Sequence, residues 1–266
     1  MPTVKLNDVV LYYEIYGNGR PLLLICGLGS DCSSWSGVVK ELSSYFQTII
    51  FDNRGSGRSS IGYDICTISK MAEDTIALMD FLKIEKAHIL GHSMGGYIAL
   101  ELAINYPSRV DKLILASTAS VSSKRNNILF EKMYSQLVKE GPSEEWFKRW
   151  TFWLFSPETL NNSQFIETFI KNSVKYPYLQ TAEGFKSQID AIKLFDVRDK
   201  LGVIKAKTLI LEGKDDALIT PEESGILAKN LPGNTFRVLD GVAHSIHIEN
   251  PRLFTEAMMG FLNFGN

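Results

Sequence analysis

A serine with a glycine two residues to either side, Gly91-His92-Ser93-Met94-Gly95, falls where the apolar run AHIL (87–90) gives way to a helical pattern beginning at Met94. The spacing alone arises easily by chance in a chain this long, so its meaning comes from its setting. A buried strand handing over to a helix is the context of a nucleophile elbow. There the serine occupies a strained turn, the glycines let the backbone close, and the helix N-terminus favours developing negative charge. A Gly-Ser turn that merely packs a helix on its strand would need no partners for the hydroxyl.

A serine hydroxyl is a weak nucleophile at its free pKa and needs a base. The chain has four histidines. His88 lies within the strand and His92 is the serine's neighbour, so neither turns back easily onto Ser93. His244 and His247 follow the last strand-like run, in LDGVAHSIHIENP. A loop at the carboxyl end of a parallel strand is where α/β sheets place their sites. His244, directly after the Gly-Val-Ala turn, is the better base, and His247 is expected to face solvent or pack beneath. The imidazole in turn needs an acid to hold its tautomer and stabilise its charge. The strand KLILAS (112–117) is followed by no carboxylate, whereas KTLILEG (207–213) is followed by Lys214, Asp215 and Asp216, so the acid is one of these two aspartates. The segment ICGLGSD (25–31) leaves a strand in a Gly-flanked loop. It would set the backbone N–H of Leu28 opposite that of Met94, with Ser93 between, as an oxyanion hole. The chemistry these parts share is acyl transfer.

Positioning them requires strands that end together at one edge. PLLLIC (21–26) and QTIIFD (47–52) are short continuous apolar runs, as expected of strands buried on both faces. VKLN and VVLYYEIY flank Asn7-Asp8 as an antiparallel pair. Helical stretches are expected over Trp35–Phe46, Ser69–Leu82 and Met94–Tyr106, after Pro221, and from Pro251 onward. TFRVLDG (235–241) is the last strand. Strands alternating with helices imply an α/β fold with a mostly parallel sheet covered on both faces. From Ser120 to Asp196 no strand-like run occurs and the chain reads as several helices. The organisation is therefore a core of residues 1–119 and 197–266 with a helical cap, 120–196, inserted.

Taken together, CGLGSD…W, FDNRGSGRS, LGHSMGGYIALELAINYP, VDKLILAST, LILEGKDDALITP and GVAHSIHIENP make the chain resemble the α/β-hydrolase superfamily over essentially its whole length. The loop with its Leu-Gly is similar to that of enol-lactone hydrolases and aminoacrylate-type hydrolases. Many relatives carry His-Gly where this chain has Cys26-Gly27. The resemblance implies an α/β-hydrolase fold and a Ser93, Asp216, His244 triad. In the family the acid falls three residues after the glycine, which selects Asp216 over Asp215. It also implies a cofactor-independent serine hydrolase of a small or medium ester, lactone or similar acyl compound. C–C bond hydrolases, amidases and acyltransferases use the same constellation, and some members are slow ligand-binding receptors. Serine at the elbow argues against dehalogenases and epoxide hydrolases, where the family uses aspartate.

Other features bound the reading. DNRGSGRS (52–59) lacks the lysine and spacing of a phosphate loop, and Arg54 reads as structural. Cys26, Cys32 and Cys66 are sparse, odd in number and not in metal spacing, as in a reduced cytoplasmic protein, and no metal is called for. A net charge of −2 argues against nucleic acid or an anionic membrane as partner. The polar, mixed opening MPTVKLNDVV reads as no signal peptide, and no run approaches a membrane span. The expected partner is a small acyl substrate, and nothing indicates an oligomeric state. Within WFKRWTFWLF (146–155), Trp146, Trp150 and Trp153 follow i, i+4, i+7 and share a helix face. Trp150 and Trp153 are the candidates to line an apolar pocket over Ser93; the alternative is that the stripe packs the cap on itself.

Overall fold

The computed structural model describes residues 2–262. Strands β1 (Thr3–Leu6), β2 (Val9–Tyr16), β3 (Arg20–Ile25), β4 (Phe46–Phe51), β5 (Ala87–His92), β6 (Val110–Ala116), β7 (Lys207–Gly213) and β8 (Asn234–Leu239) form one sheet. Their spatial order is β1-β2-β4-β3-β5-β6-β7-β8. The first two strands pair antiparallel, β2 joins β4 antiparallel, and every pair from β4 to β8 is parallel. Successive residues face opposite sides, as the pleat demands. Leu22 and Leu24 pack with Trp35, Leu42 and Phe254, while Leu23 and Ile25 pack with Met79 and Ile98. Continuous apolar strands are thus explained by a core on each face.

Helices α1 (Ser36–Leu42), α2 (Ile68–Phe81) and α3 (Met94–Asn105) follow β3, β4 and β5. Between β6 and β7 lie α4 (Lys124–Glu140), α5 (Glu144–Leu154), α6 (Pro157–Leu160), α7 (Ser163–Lys175) and α8 (Ala182–Lys193). Then come α9 (Pro221–Asn230), α10 (Ile246–Glu249) and α11 (Pro251–Leu262). Side-chain caps mark several starts: Thr67 for α2, Ser123 for α4, Ser143 for α5, and a Thr220/Glu223 capping box for α9. Among the described residues no helix is long and apolar enough to cross a membrane.

Two local expectations need correction. The helix anticipated over Trp35–Phe46 is shorter: a 3-10 turn (Cys32–Trp35) leads into α1, which stops at Leu42. Phe46 instead begins β4, paired in parallel with Arg20, because sheet pairing satisfies its backbone, whatever helix length the stretch would allow. The stretch read as strand-free also begins and ends with an isolated antiparallel bridge, Val121 to Asp196, beside a Val197 N–H to Ser120 O bond of 3.0 Å. One bridge leaves no periodicity to read.

Candidate active site

The β5–α3 junction carries Ser93 at φ 54°, ψ −118°, in the left-handed half of the map where only glycine is unstrained. Its N–H donates to Ala116 O at 2.9 Å, and the Thr118 hydroxyl donates to its carbonyl at 2.9 Å, so the turn is held from β6. The flanking glycines are obligatory for space. A Cβ on Gly91 would stand 2.1 Å from Gly95 O, and one on Gly95 would stand 2.1 Å from Ile25 O. The corner closes only without those side chains, and it leaves Ser93 partly exposed.

After β7, Asp216 is 3% exposed while its neighbour Asp215 lies in solvent. One Asp216 oxygen accepts the N–H groups of Leu218 and Ile219 at 2.8 and 2.9 Å. The other lies 2.8 Å from His244 Nδ1. With its carboxylate oriented by two backbone donors, Asp216 places the Nδ1 proton and leaves Nε2 as the free nitrogen of His244.

The loop carrying His244 is tied on every side. Ala243 N–H and Ser156 N–H donate to the two oxygens of Glu249, both at 2.7 Å, and Ser245 N–H donates to Leu154 O at 2.9 Å. His92 supplies a further tie that its sequence position did not suggest: its Nε2 lies 2.8 Å from His244 O. A carbonyl only accepts, so His92 Nε2 carries the proton. Burial, then the neighbouring His247 and His244, hold His92 well below the usual imidazole pKa. His247 packs beneath rather than facing solvent, its ring 4.5 Å from that of Trp35, and burial pushes its pKa down to about 3.

Sequence reasoning also missed Glu212, the residue before Gly213, which is fully buried. Its Oε1 accepts Gly213 N–H at 2.9 Å, and its Oε2 is hydrogen-bonded to the Ser224 hydroxyl. Burial, followed by the charge of Asp216, drives the Glu212 carboxyl well above the usual range. The Ser224 hydroxyl gives its single proton to Thr118 O at 2.8 Å, so the proton between Ser224 and Glu212 belongs to the acid. A charged residue inside a strand pattern offers no signal of this kind until its neighbours are known.

The loop after β3 lies against the elbow: a Cβ on Gly27 would meet Ser93 Cβ at 3.1 Å. Leu28 and Met94 donate their N–H groups to no backbone acceptor among the described residues. Cys26 is buried with Ser34 and Phe51 O around its thiol, whose pKa burial raises, so it is an inert packing group. Arg54 is locked by Asp74 at 2.6 Å and Asp8 at 3.1 Å, away from solvent.

Ser93, His244 and Leu28 line one cavity of about 390 Å³, together with Trp146, Phe147 and Trp150 from α5. Met94 is buried and does not line it. Trp153 does not line it either, which corrects the expected pair. At about 100° per residue, Phe147, Trp150 and Leu154 form the cavity-facing side of α5, and Trp153 falls beyond its edge. It packs, half-buried, on the core instead.

The family model described as alpha/beta hydrolase fold matches residues 20–251. A protein of Azorhizobium caulinodans named as a carbamate hydrolase, RutD, is 31% identical over 263 residues, covering 98% of both chains. The 3-oxoadipate enol-lactonase 2 of Acinetobacter baylyi is 30% identical over 262 residues, 96% of this chain and 94% of that one. The crystal structure of the enol-lactonase from Burkholderia xenovorans LB400 superposes with a TM-score of 0.89 at 27% identity, over 98% of this chain and 100% of that one. A parallel sheet with a strained serine at one strand end, and a match over most of the chain's length, lead to one assignment: the chain belongs to the alpha/beta hydrolase fold family.

Proposed function

We propose that the protein is a serine hydrolase that cleaves a small or medium carboxylic ester, lactone or related acyl compound through an acyl-enzyme. Ser93 Oγ attacks the acyl carbon as His244 Nε2 takes its proton. Asp216 holds the imidazole and stabilises its charge. The N–H groups of Leu28 and Met94 receive the oxyanion, each such donor contributing roughly 2.7–4 kcal/mol at the transition state. His244 then returns the proton to the leaving group, and water repeats the attack with the same base. Residues 120–196 act as a cap that supplies the aromatic wall of the cavity. What supports the reading most is that Ser93, strained at φ 54°, shares a cavity with an imidazole whose Nδ1 already has its carboxylate. The names of the relatives, a carbamate hydrolase and an enol-lactonase, point to the same acyl chemistry.

A fluorophosphonate probe should label Ser93, and Ser93→Ala should abolish both labelling and ester turnover. Mass spectrometry of the labelled peptide checks this. Labelling elsewhere, or full turnover by the alanine variant, would remove the assignment.

A further inference from the structure

The cavity is chemically two-sided. Residues from α4 and α5 contribute aromatic surface, while the loop after β3 contributes serines and Asp31. Among the described residues that line it there is no Lys or Arg. The Arg58 guanidinium lies behind the wall, 5.0 Å over the ring of the lining Tyr178, held by Asp52 at 2.9 Å and 3.6 Å over the Tyr12 ring. His92 and His247, which also line the cavity, are kept neutral by burial. The carboxylate that the loop contributes to the lining is that of Asp31, 7% exposed. Its Oδ1 accepts the Ser33 N–H at 2.8 Å and the Ser33 hydroxyl at 2.6 Å. Tyr176 stands beside it on the opposite wall, its phenol pKa pushed up by burial and by Asp31, so it remains a protonated donor.

A second polar group points the same way. Gln180 Nε2 donates to Gly55 O at 2.8 Å, and that carbonyl fixes which end of the amide is nitrogen. Its Oε1 is then an acceptor, buried at the cavity and meeting no donor among the described residues. A buried acceptor without a donor costs free energy, which a turn of the Gln180 side chain toward a ligand N–H or O–H would recover. Asp31 and Gln180 together make this end of the cavity a place for donors and a poor place for anions.

We propose that the cavity selects acyl compounds that carry a hydrogen-bond donor, such as a carboxamide or an ammonium group, and that Asp31 excludes those ending in a carboxylate. This rests on the serine-hydrolase reading and goes further by naming the substrate's charge class. The test compares two p-nitrophenyl esters of the same chain length, one ending in a carboxamide and one in a carboxylate. The two ends are nearly the same size, so the ratio of their kcat/KM values reads charge. The wild type should favour the carboxamide by roughly 10²-fold, the size of a like-charge repulsion across about 6 Å at an effective dielectric of about 20. Asp31→Asn, which keeps an acceptor for Ser33, should reduce that ratio to below about tenfold on the same argument. Tyr176→Phe strips a donor from the carboxylate and should widen it. Ratios within one variant cancel any loss of folded enzyme. Equal or faster turnover of the carboxylate ester, or a ratio that Asp31→Asn leaves unchanged, overturns the proposal while leaving Ser93 labelling intact. Turnover of neither ester, together with an unlabelled Ser93, removes the hydrolase reading itself.

Discussion

At Asp216 and Asp215, adjacent residues of the same type have opposite surroundings. Asp216 accepts two backbone N–H groups and reaches His244; Asp215 lies in solvent. Replacing Asp216 by asparagine keeps size and polarity but can present an N–H to Nδ1, which favours the wrong tautomer. On a serine protease that change cost about 10⁴ in turnover, so a fall of roughly 10²–10⁴ in kcat is expected here for Asp216→Asn. Asp215→Asn should cost less than about tenfold, as for a solvated turn residue. Both are measured on one ester at saturation after the fold has been checked by circular dichroism. A larger loss at Asp215 would show that His244 answers to a different acid. His92 shows a related contrast. Its place beside Ser93 turns it away from the hydroxyl, yet through His244 O it helps hold the imidazole proposed as the base.

At the scale of elements, α5 forms one wall of the cavity over Ser93. Its cavity side carries Trp146, Phe147, Trp150 and Leu154, and its final turn is tied to the His244 loop through Leu154 O and the Ser156–Glu249 bond. The shape of the cavity and the placing of His244 therefore depend on one helix end. Trp150→Ala should lower kcat/KM for a long acyl ester relative to acetate by at least about tenfold, the scale of a lost apolar pocket contact. Trp153→Ala should shift that ratio by less than about threefold, because its ring packs on the core and off the cavity. Chain-length series on the two variants check this. Equal losses on every ester for Trp150→Ala would mean that it only holds the insertion together.

For the molecule as a whole, buried titratable groups set the response to acid. His92 and His247 have folded-state pKa values far below 6.5, the latter about 3, so they contribute stability above pH 6.5 that is lost as pH falls. Glu212 is displaced the other way: its folded pKa lies well above 4.5, so its contribution is present below pH 4.5 and lost as pH rises. His88, also lowered, and Asp74, also raised, oppose one another. As pH falls below 6.5, two histidines thus stand against one carboxyl, and the histidines draw protons onto the unfolded chain. Stability should therefore fall on acidification below pH 6.5. Glu212→Gln removes the opposing group and should steepen that fall. Urea melts at several pH values check both. A wild-type stability that is flat or rises as pH falls across this window would contradict the balance.

Much of this could be read from the chain alone because it rests on local rules. Alternating apolar runs and caps define the elements, since burial on both faces and the backbone's hydrogen-bonding needs act within a few residues. The G-x-S-x-G corner after β5 is legible because only glycine fits the close approach there. The folded chain alone decides relations between distant residues. His92 meets His244 across 152 positions, Glu249 bridges Ala243 and Ser156, and Gln180 reaches Gly55. Periodicity could place Trp146, Trp150 and Trp153 on one side of α5, but the cavity's position around that helix selects Trp150 and leaves Trp153 to the core. Glu212 reads as an ordinary acid until β7 buries it beside Asp216, because a pKa is a property of surroundings that only tertiary packing assembles.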